Sequence, residues 1–150
     1  MQESIETTAS PERVFALWSD PAGWPRWDPD LESASLTGAF AAGSSGSIKP
    51  RGAPRTRITL HEVKPPLAFT AVARLPLCRI IFEHVIEPVP GGTVTGGCRV
   101  THTVRFEGAL AALFRRLIGP AVRRGLPGTM AGLKAAAETT TSQTPAGPQG

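Results

Sequence analysis

The sequence predicts an α+β domain in which a curved antiparallel sheet of about six or seven strands packs on one long C-terminal helix. Two observations support this prediction. Short segments rich in β-branched and aromatic residues follow one another over residues 31–106, separated by proline and glycine, a pattern typical of antiparallel strands. Apolar residues then recur at intervals of three and four over residues 109–138, which predicts an amphipathic helix.

The composition is that of one globular domain. The chain has 150 residues, of which 41% are hydrophobic and 19% charged, with a formal net charge of +4. Its arginines are scattered and tyrosine is absent, so the basic stripe with interleaved aromatic residues that marks nucleic-acid binding is missing. There is no apolar run near the ~20 residues of a membrane span, no signal-peptide pattern and no set of cysteines typical of a disulfide framework. We therefore expect a cytoplasmic monomer or homodimer without a nucleic-acid partner or a membrane span.

The first elements are a short strand over residues 3–8 and a helix over residues 11–19. Ser10 is a good N-cap for this helix, and Pro11 fits the first turn, where its missing N–H costs nothing. Pro21 ends the helix. Residues 23–29 are too rich in proline for more than one short turn.

The middle of the chain contains the remaining strands. Proline or glycine ends most of them, and Pro90-Gly91-Gly92 predicts a tight hairpin turn before the last. The predicted strands cover residues 31–36, 47–49, 55–63, 67–75, 78–87 and 93–106.

The C-terminal helix is expected to be kinked or interrupted, and a tail is expected to follow it. Pro120 and the glycine- and proline-rich residues 125–128 predict a kink or a break. Residues 139–150 contain only small and polar residues, proline and glycine, so they cannot bury enough apolar surface to fold. The predicted organisation is one domain over residues 1–138 and a disordered tail over residues 139–150.

Several motifs along the chain match those of a known superfamily. They are Ala-Ser-Pro-Glu-Arg-Val-Phe at 9–15, Trp-Ser-Asp-Pro at 18–21, Glu62-Val63 with Pro65-Pro66, His84, Val100-Thr101-His102 and Leu133-Lys134. With these motifs, residues 3–138 resemble the START-like (SRPBCC) superfamily, which includes polyketide cyclase/dehydrase, lipid-transport and Bet v 1-like proteins. The resemblance implies a helix-grip fold with two short helices after the first strand. It also implies a cavity for an apolar or aromatic ligand, but it leaves open what happens to that ligand.

Alternation along the last two strands predicts which side chains point inward. Even-numbered positions are mostly apolar and include His84 and His102, whereas most charges are at odd-numbered positions. A tight turn between the strands predicts these opposite pairs: Ile80 and His102, Phe82 and Val100, Glu83 and Arg99, His84 and Cys98. The two histidines then lie about 13 Å apart, too far for one water or metal ion to touch both but within reach of a ligand of a few fused rings.

The cavity wall is expected to combine residues from the sheet, from the loop after the first helix and from the C-terminal helix. Ala71 shares an apolar strand face with Phe69 and leaves room beside it. Trp24 and Trp27 flank a proline near the expected cavity mouth, where they can stack on a ligand or anchor the loop. The predicted ligand-binding residues are Trp24, Trp27, Phe69, Ala71, Phe82, His84, Cys98, Val100, His102, Leu113, Leu117 and Met130.

His84 and His102 are the candidate catalytic residues. A neutral imidazole can act as a general base or polarise a carbonyl group, although both can also be core histidines with satisfied hydrogen bonds. Cys98 is expected to be a packed thiol, because nothing around it favours a thiolate. The spacings of histidine and cysteine match no zinc signature, and we expect no metal and no cofactor.

Three functions remain open on the sequence. The domain can carry or sense a hydrophobic metabolite, such as a polyketide- or lipid-like molecule. It can be a cyclase or dehydratase in which a histidine removes a proton next to a ketone while the cavity folds the substrate. It can also be a stress-type domain that is regulated by a partner. Hydrolysis by a pair of carboxylates is not indicated, because the sequence places no second acid to pair with Asp28, Asp30 or Glu32.

Overall fold

Seven strands, two α-helices and one 3₁₀ helix form the part of the chain that the computed structural model describes, residues 1–89 and 97–139. The predicted turn at Pro90-Gly91-Gly92 and residues 140–150 of the predicted tail lie outside these residues. The elements are, in order, β1 (Gln2–Thr7), α1 (Pro11–Trp18), the 3₁₀ helix (Pro21–Arg26), β2 (Leu31–Leu36), β3 (Ser45–Pro50), β4 (Thr56–Lys64), β5 (Ala68–Leu75), β6 (Cys78–Pro88), β7 (Cys98–Glu107) and α2 (Ala111–Thr139).

The strands form one antiparallel sheet in the order β1-β7-β6-β5-β4-β3-β2. The sheet curls into a half-barrel that holds the long helix α2. The core lies between them, where Met130 and Leu133 of α2 are buried in one cluster with Leu60, Phe69 and Val100 of the sheet. The predicted fold class, a helix-grip α+β domain, is confirmed.

The short helices after β1 are fixed by local chemistry. Ser10 caps α1, since its hydroxyl accepts a hydrogen bond from the backbone N–H of Arg13 at 3.3 Å. Trp18 is buried on the inner face of α1. The indole Nε1 of Trp24 donates to the carbonyl of Trp18 at 3.0 Å and so ties the 3₁₀ helix to the end of α1.

The predicted register between β6 and β7 is wrong by four residues. Glu83 lies opposite Thr103 rather than Arg99, and the other predicted pairs are displaced in the same way. The pairs observed in their place are Ile80 and Phe106, Phe82 and Val104, and His84 and His102. The error comes from the assumption of a tight turn between the strands. The pair nearest to the connection is Pro88 with Cys98, so more residues separate the strands than a tight turn would need. An even shift keeps every side chain on its predicted face.

The predicted break in the C-terminal helix is wrong, because α2 is continuous from Ala111 to Thr139. A kink, the other predicted outcome, is compatible with this continuity. Its glycines serve close packing. A Cβ atom at Gly132 would collide with the carbonyl oxygen of Trp27, and one at Gly125 would collide with the carboxylate of Asp30. The helix therefore lies directly against residues 27–30. No helix in the described ranges is long and apolar enough to cross a membrane.

Replacing Gly132 by alanine tests this close packing. We expect Gly132→Ala to destabilise the domain by about 2 kcal/mol, because the methyl group would press against backbone rather than a side chain that can move. Gly128→Ala is the matched control on the same helix, since its Cβ would meet only Pro29 at 3.5 Å. That change is expected to be neutral or to stabilise by up to about 1 kcal/mol. Equal urea midpoints for the two variants would contradict the packing described.

Candidate functional site

Three aromatic rings form a row across neighbouring strands on the inner face of the sheet. Phe69 of β5 lies opposite His84 of β6, which lies opposite His102 of β7. The Phe69 and His84 rings are stacked, with centroids 3.9 Å apart and planes 7° apart. The centroids of the two imidazoles are 4.1 Å apart, with planes 31° apart. Directly opposite residues of paired strands share a face, which is why the three rings meet.

The two histidines are therefore neighbours, and the predicted separation of about 13 Å is wrong. The four-residue shift in register brings His102 from a position opposite Ile80 to one opposite His84. The two imidazole rings are in contact with each other. The ligand of several fused rings that the longer distance required is no longer needed.

Trp18 holds the row from the side of the helices. Its ring meets those of Phe69 and His84 edge to face, with centroids 5.2 Å and 5.3 Å away. Edge-to-face contacts of this kind are favourable for aromatic rings. The sheet and α1 together fix the orientation of His84.

Both histidines have a buried nitrogen without a hydrogen-bond partner. These atoms are Nδ1 of His84 and Nε2 of His102. Burial lowers the pKa of His102 to about 4. Burial, and then the nearby His102, lower the pKa of His84 well below its usual value, and hydrogen bonding of its imidazole to the backbone of Phe69 and Phe82 opposes part of that shift. Both imidazoles are therefore neutral at pH 7, and each offers one donor and one acceptor.

The histidines line a cavity of about 130 Å³ between the sheet and the helices. A cavity of about 150 Å³ in another protein holds one benzene ring, so this one suits a single ring in the conformation observed. The sheet contributes Ile48, Ile58, Phe69, Ala71, Phe82, His84 and His102 to its wall. The helices and the segment between the 3₁₀ helix and β2 contribute Trp18, Trp24, Trp27, Asp28, Thr129, Met130 and Leu133, and Leu31 lies at the start of β2.

Four residues predicted to line the cavity lie elsewhere. Cys98 is opposite Thr7 and Pro88 at the end of its strand, where its thiol donates to the carbonyl of Ala9 at 3.4 Å. Burial raises the pKa of this thiol, which agrees with the packed role expected for it. Val100 is fully buried in the core, outside the cavity wall.

Leu113 and Leu117 are the other two, and they are exposed to solvent, with 48% and 66% of their surface accessible. The packed stripe of this part of α2 runs one position later, through Ile118 and Val122 to Leu126. Each residue turns the helix by about 100°. Leu113 and Leu117, which lie one position before the packed residues, therefore point away from the sheet.

Asp28 and Thr129 are polar residues of the cavity wall that the sequence analysis did not assign to it. Asp28 is buried, and its Oδ1 accepts hydrogen bonds from the backbone N–H of Asp30 at 3.0 Å and from the Thr129 hydroxyl at 2.9 Å. Burial raises the pKa of the Asp28 carboxyl, and these two hydrogen bonds oppose the shift. Thr129 precedes Met130 in the helical stripe and was detectable from it. Asp28 had no such signal, since it lies outside regular structure.

No group of three or more histidine, cysteine or acidic side chains within residues 1–89 and 97–139 is placed to hold a metal ion. His61 is exposed on β4, away from the other two histidines. The polar chemistry of the cavity wall comes from two imidazoles, one carboxylate and one hydroxyl.

A sequence comparison identifies the family. The family described as polyketide cyclase/dehydrase and lipid transport matches residues 1–138. The chain belongs to this family. Its members, by that description, act on or carry hydrophobic molecules, which fits an apolar cavity enclosed by a sheet and a helix.

Individual relatives are distant in sequence. An uncharacterized protein of Mycobacterium tuberculosis is 24% identical over 143 residues, which cover 83% of this chain and 78% of that one. Among solved structures, a Thermus thermophilus protein has a TM-score of 0.72 at 18% identity, covering 95% of this chain and 99% of that chain. Norcoclaurine synthase from Thalictrum flavum, in complex with dopamine and hydroxybenzaldehyde, has a TM-score of 0.68 at 13% identity, covering 96% and 87%. These structures show the shared fold.

Acid should destabilise the domain through the two histidines. Because the folded pKa of His102 is about 4 and its ordinary value is 6.5, the unfolded chain binds more protons between these values. Stability is therefore lost as the pH falls from about 6.5 towards 4, by about 3 kcal/mol for His102. The double variant His84→Phe/His102→Phe keeps the row of rings and should lose this pH dependence.

The measurement is the free energy of unfolding in urea between pH 4 and pH 7.5. His61→Gln is the control, since it removes an exposed histidine outside the cavity. Its curve should run parallel to that of the parent protein. A double variant with the same slope as the parent would show that the two histidines are not held neutral by burial.

Proposed function

We propose that the domain binds a small hydrophobic or aromatic molecule in the cavity and that His84 and His102 contact an oxygen atom of this ligand. The observation behind the proposal is the pair of adjacent neutral imidazoles with unpartnered nitrogens on an otherwise largely apolar wall. The membership of the chain in a family that acts on or transports polyketides and lipids supports it.

The energetics of the unpartnered nitrogens also favour a ligand with an oxygen atom. A buried polar atom without a partner costs about 1–3 kcal/mol. A carbonyl oxygen that enters the cavity can accept a hydrogen bond from an imidazole N–H, and a hydroxyl group can accept or donate one; either recovers part of this cost. A purely apolar ligand fills the same volume without that gain.

The size of the cavity limits the ligand in this conformation to about one ring. Ligand sites for larger molecules measure roughly 300–1,000 Å³, whereas this cavity measures about 130 Å³. A long lipid or a polyketide of several rings therefore requires the cavity to widen. The norcoclaurine synthase complex, a distant structural relative, holds the single-ring molecules dopamine and hydroxybenzaldehyde.

Catalysis of a cyclisation or dehydration is the second candidate function, and the adjacency of the histidines favours it. A pKa of about 4 makes His102 a weak general base at pH 7. A neutral imidazole N–H remains well suited to stabilise the negative charge that develops on a ketone oxygen in the transition state of such a reaction. The catalytic role expected of these histidines is hydrogen-bond donation more than proton abstraction. A carrier or sensor needs only the binding part of this description.

Two matched probes test the binding proposal. Acetophenone carries a carbonyl oxygen, and ethylbenzene has nearly the same shape without it. Acetophenone should bind the parent protein and quench the fluorescence of Trp18, Trp24 and Trp27, which line the cavity. The double variant His84→Phe/His102→Phe should weaken acetophenone about five- to tenfold, the worth of a hydrogen bond, and leave ethylbenzene unchanged or tighter. If the double substitution leaves the affinities of both probes unchanged, contact between the histidines and the ligand is excluded.

Turnover separates the enzyme from the carrier. With a linear poly-β-ketone thioester as substrate, ring closure produces an aromatic chromophore that absorbance can follow. If the domain is a cyclase, the rate should fall at least a hundredfold in His84→Phe or in His102→Phe, in line with the loss of one donor to a developing oxyanion. Binding of acetophenone without any turnover would favour the carrier. Replacement of exposed His61 is the control.

A further inference from the structure

Asp28 places a carboxylate on the cavity wall that faces the sheet. It follows the 3₁₀ helix and precedes β2, and only 8% of its surface is accessible. The histidines belong to the sheet wall, whereas Asp28 and its partner Thr129 belong to the wall formed by Trp27, Asp28 and α2. The polar groups of the cavity therefore come from two different walls.

One carboxylate oxygen of Asp28 accepts hydrogen bonds from the protein, and the other does not. Oδ1 accepts both hydrogen bonds, from the N–H of Asp30 and from Thr129. Within the described ranges, Oδ2 receives no hydrogen bond, and no lysine, arginine or histidine forms an ion pair with Asp28. A buried carboxylate is costly unless it is paired, so the leftover oxygen calls for a partner.

Anchoring of the loop does not account for this carboxylate. The segment is already held by the close approach of Gly132 to Trp27 and by Arg51, whose side chain donates to the carbonyl of Pro29 at 2.8 Å. An asparagine would accept the same two hydrogen bonds through a single oxygen and would carry no charge to desolvate. Because Asp28 lines the cavity, the second oxygen of the aspartate adds an acceptor for a molecule bound there.

We propose that Asp28 is a ligand-binding residue that accepts a hydrogen bond from a hydroxyl or amino group of the ligand. This inference rests on the proposed function and narrows its substrate class. The ligand is a single-ring aromatic molecule with a carbonyl oxygen at one end, towards His84 and His102, and a hydrogen-bond donor at the other, towards Asp28. Thr129, whose hydroxyl donates to Asp28, is the neighbour expected beside that donor.

Three probes measure the contribution of the donor: acetophenone, 4-hydroxyacetophenone and 4-aminoacetophenone. The hydroxyl and the amino group should each raise affinity for the parent protein about tenfold over acetophenone, as a hydrogen bond to a charged acceptor does. In Asp28→Asn the gain from the amino group should disappear and the gain from the hydroxyl should fall below about threefold. Asp30→Asn is the matched control, because it makes the same change two residues away at an exposed position outside the cavity wall. There, both gains should persist.

The orientation of the bound probe provides a measurement on the parent protein alone. Nuclear Overhauser effects should join the ring protons next to the 4-hydroxyl group with the Thr129 methyl, and the acetyl methyl with the ring protons of His84 or His102. The reverse orientation would overturn the assignment of Asp28, whether or not Asp28→Asn folds. Acetophenone binding without any preference for a 4-substituent would overturn it too and would leave the proposed function standing. Absence of binding by all three probes would reject both proposals.

Discussion

The register in which β5, β6 and β7 pair is the constraint on which the site depends. It places Phe69, His84 and His102 directly opposite one another, and directly opposite side chains on one face are close enough for ring contact. Because β6 and β7 have neighbours on both sides, their register is held by two ladders each. A displacement of two residues would keep both histidines on the inner face and separate their rings. The chemistry of the site is therefore a property of sheet pairing, beyond the inward orientation of each residue.

The opposite wall depends on a different constraint, the close contact between α2 and residues 27–30. Gly125 and Gly132 leave room for the backbone and side chains of Trp27 and Asp30, and the helix remains continuous although it contains Pro120 and Pro127. Glycine and proline lower the intrinsic helix propensity of this segment. Packing of a long amphipathic face supplies most of the stability of a helix in a protein, which explains why these residues are tolerated. The same contact fixes Asp28 in the cavity wall.

The fold and the inward- or outward-facing side of each strand could be predicted from the sequence, but the pairing of residues between neighbouring strands could not. Alternation along a strand has a period of two, so it identified the inner face that holds His84 and His102 whatever the register. The identity of the opposite residue depends on the length of the connection, which glycine and proline only suggest. For α2, the three- and four-residue spacing predicted an amphipathic helix correctly but allowed two adjacent stripes, and Leu113 and Leu117 belonged to the exposed one. The position of Asp28 in the cavity wall could not be predicted, because only tertiary packing buries this residue.

Neutrality of the histidines and the raised pKa of Asp28 have the same physical origin, because burial disfavours the charged form of each group. The groups nevertheless suit different hydrogen-bonding roles at pH 7, the two imidazoles as donors and the carboxylate as an acceptor. A neutral imidazole can donate to an oxygen without carrying a charge, whereas the carboxylate accepts more strongly when it is ionised. Their environments therefore divide the roles of donor and acceptor between two walls. In the proposed binding mode this division orients the ligand, with its carbonyl oxygen towards the imidazoles and its donor group towards the carboxylate.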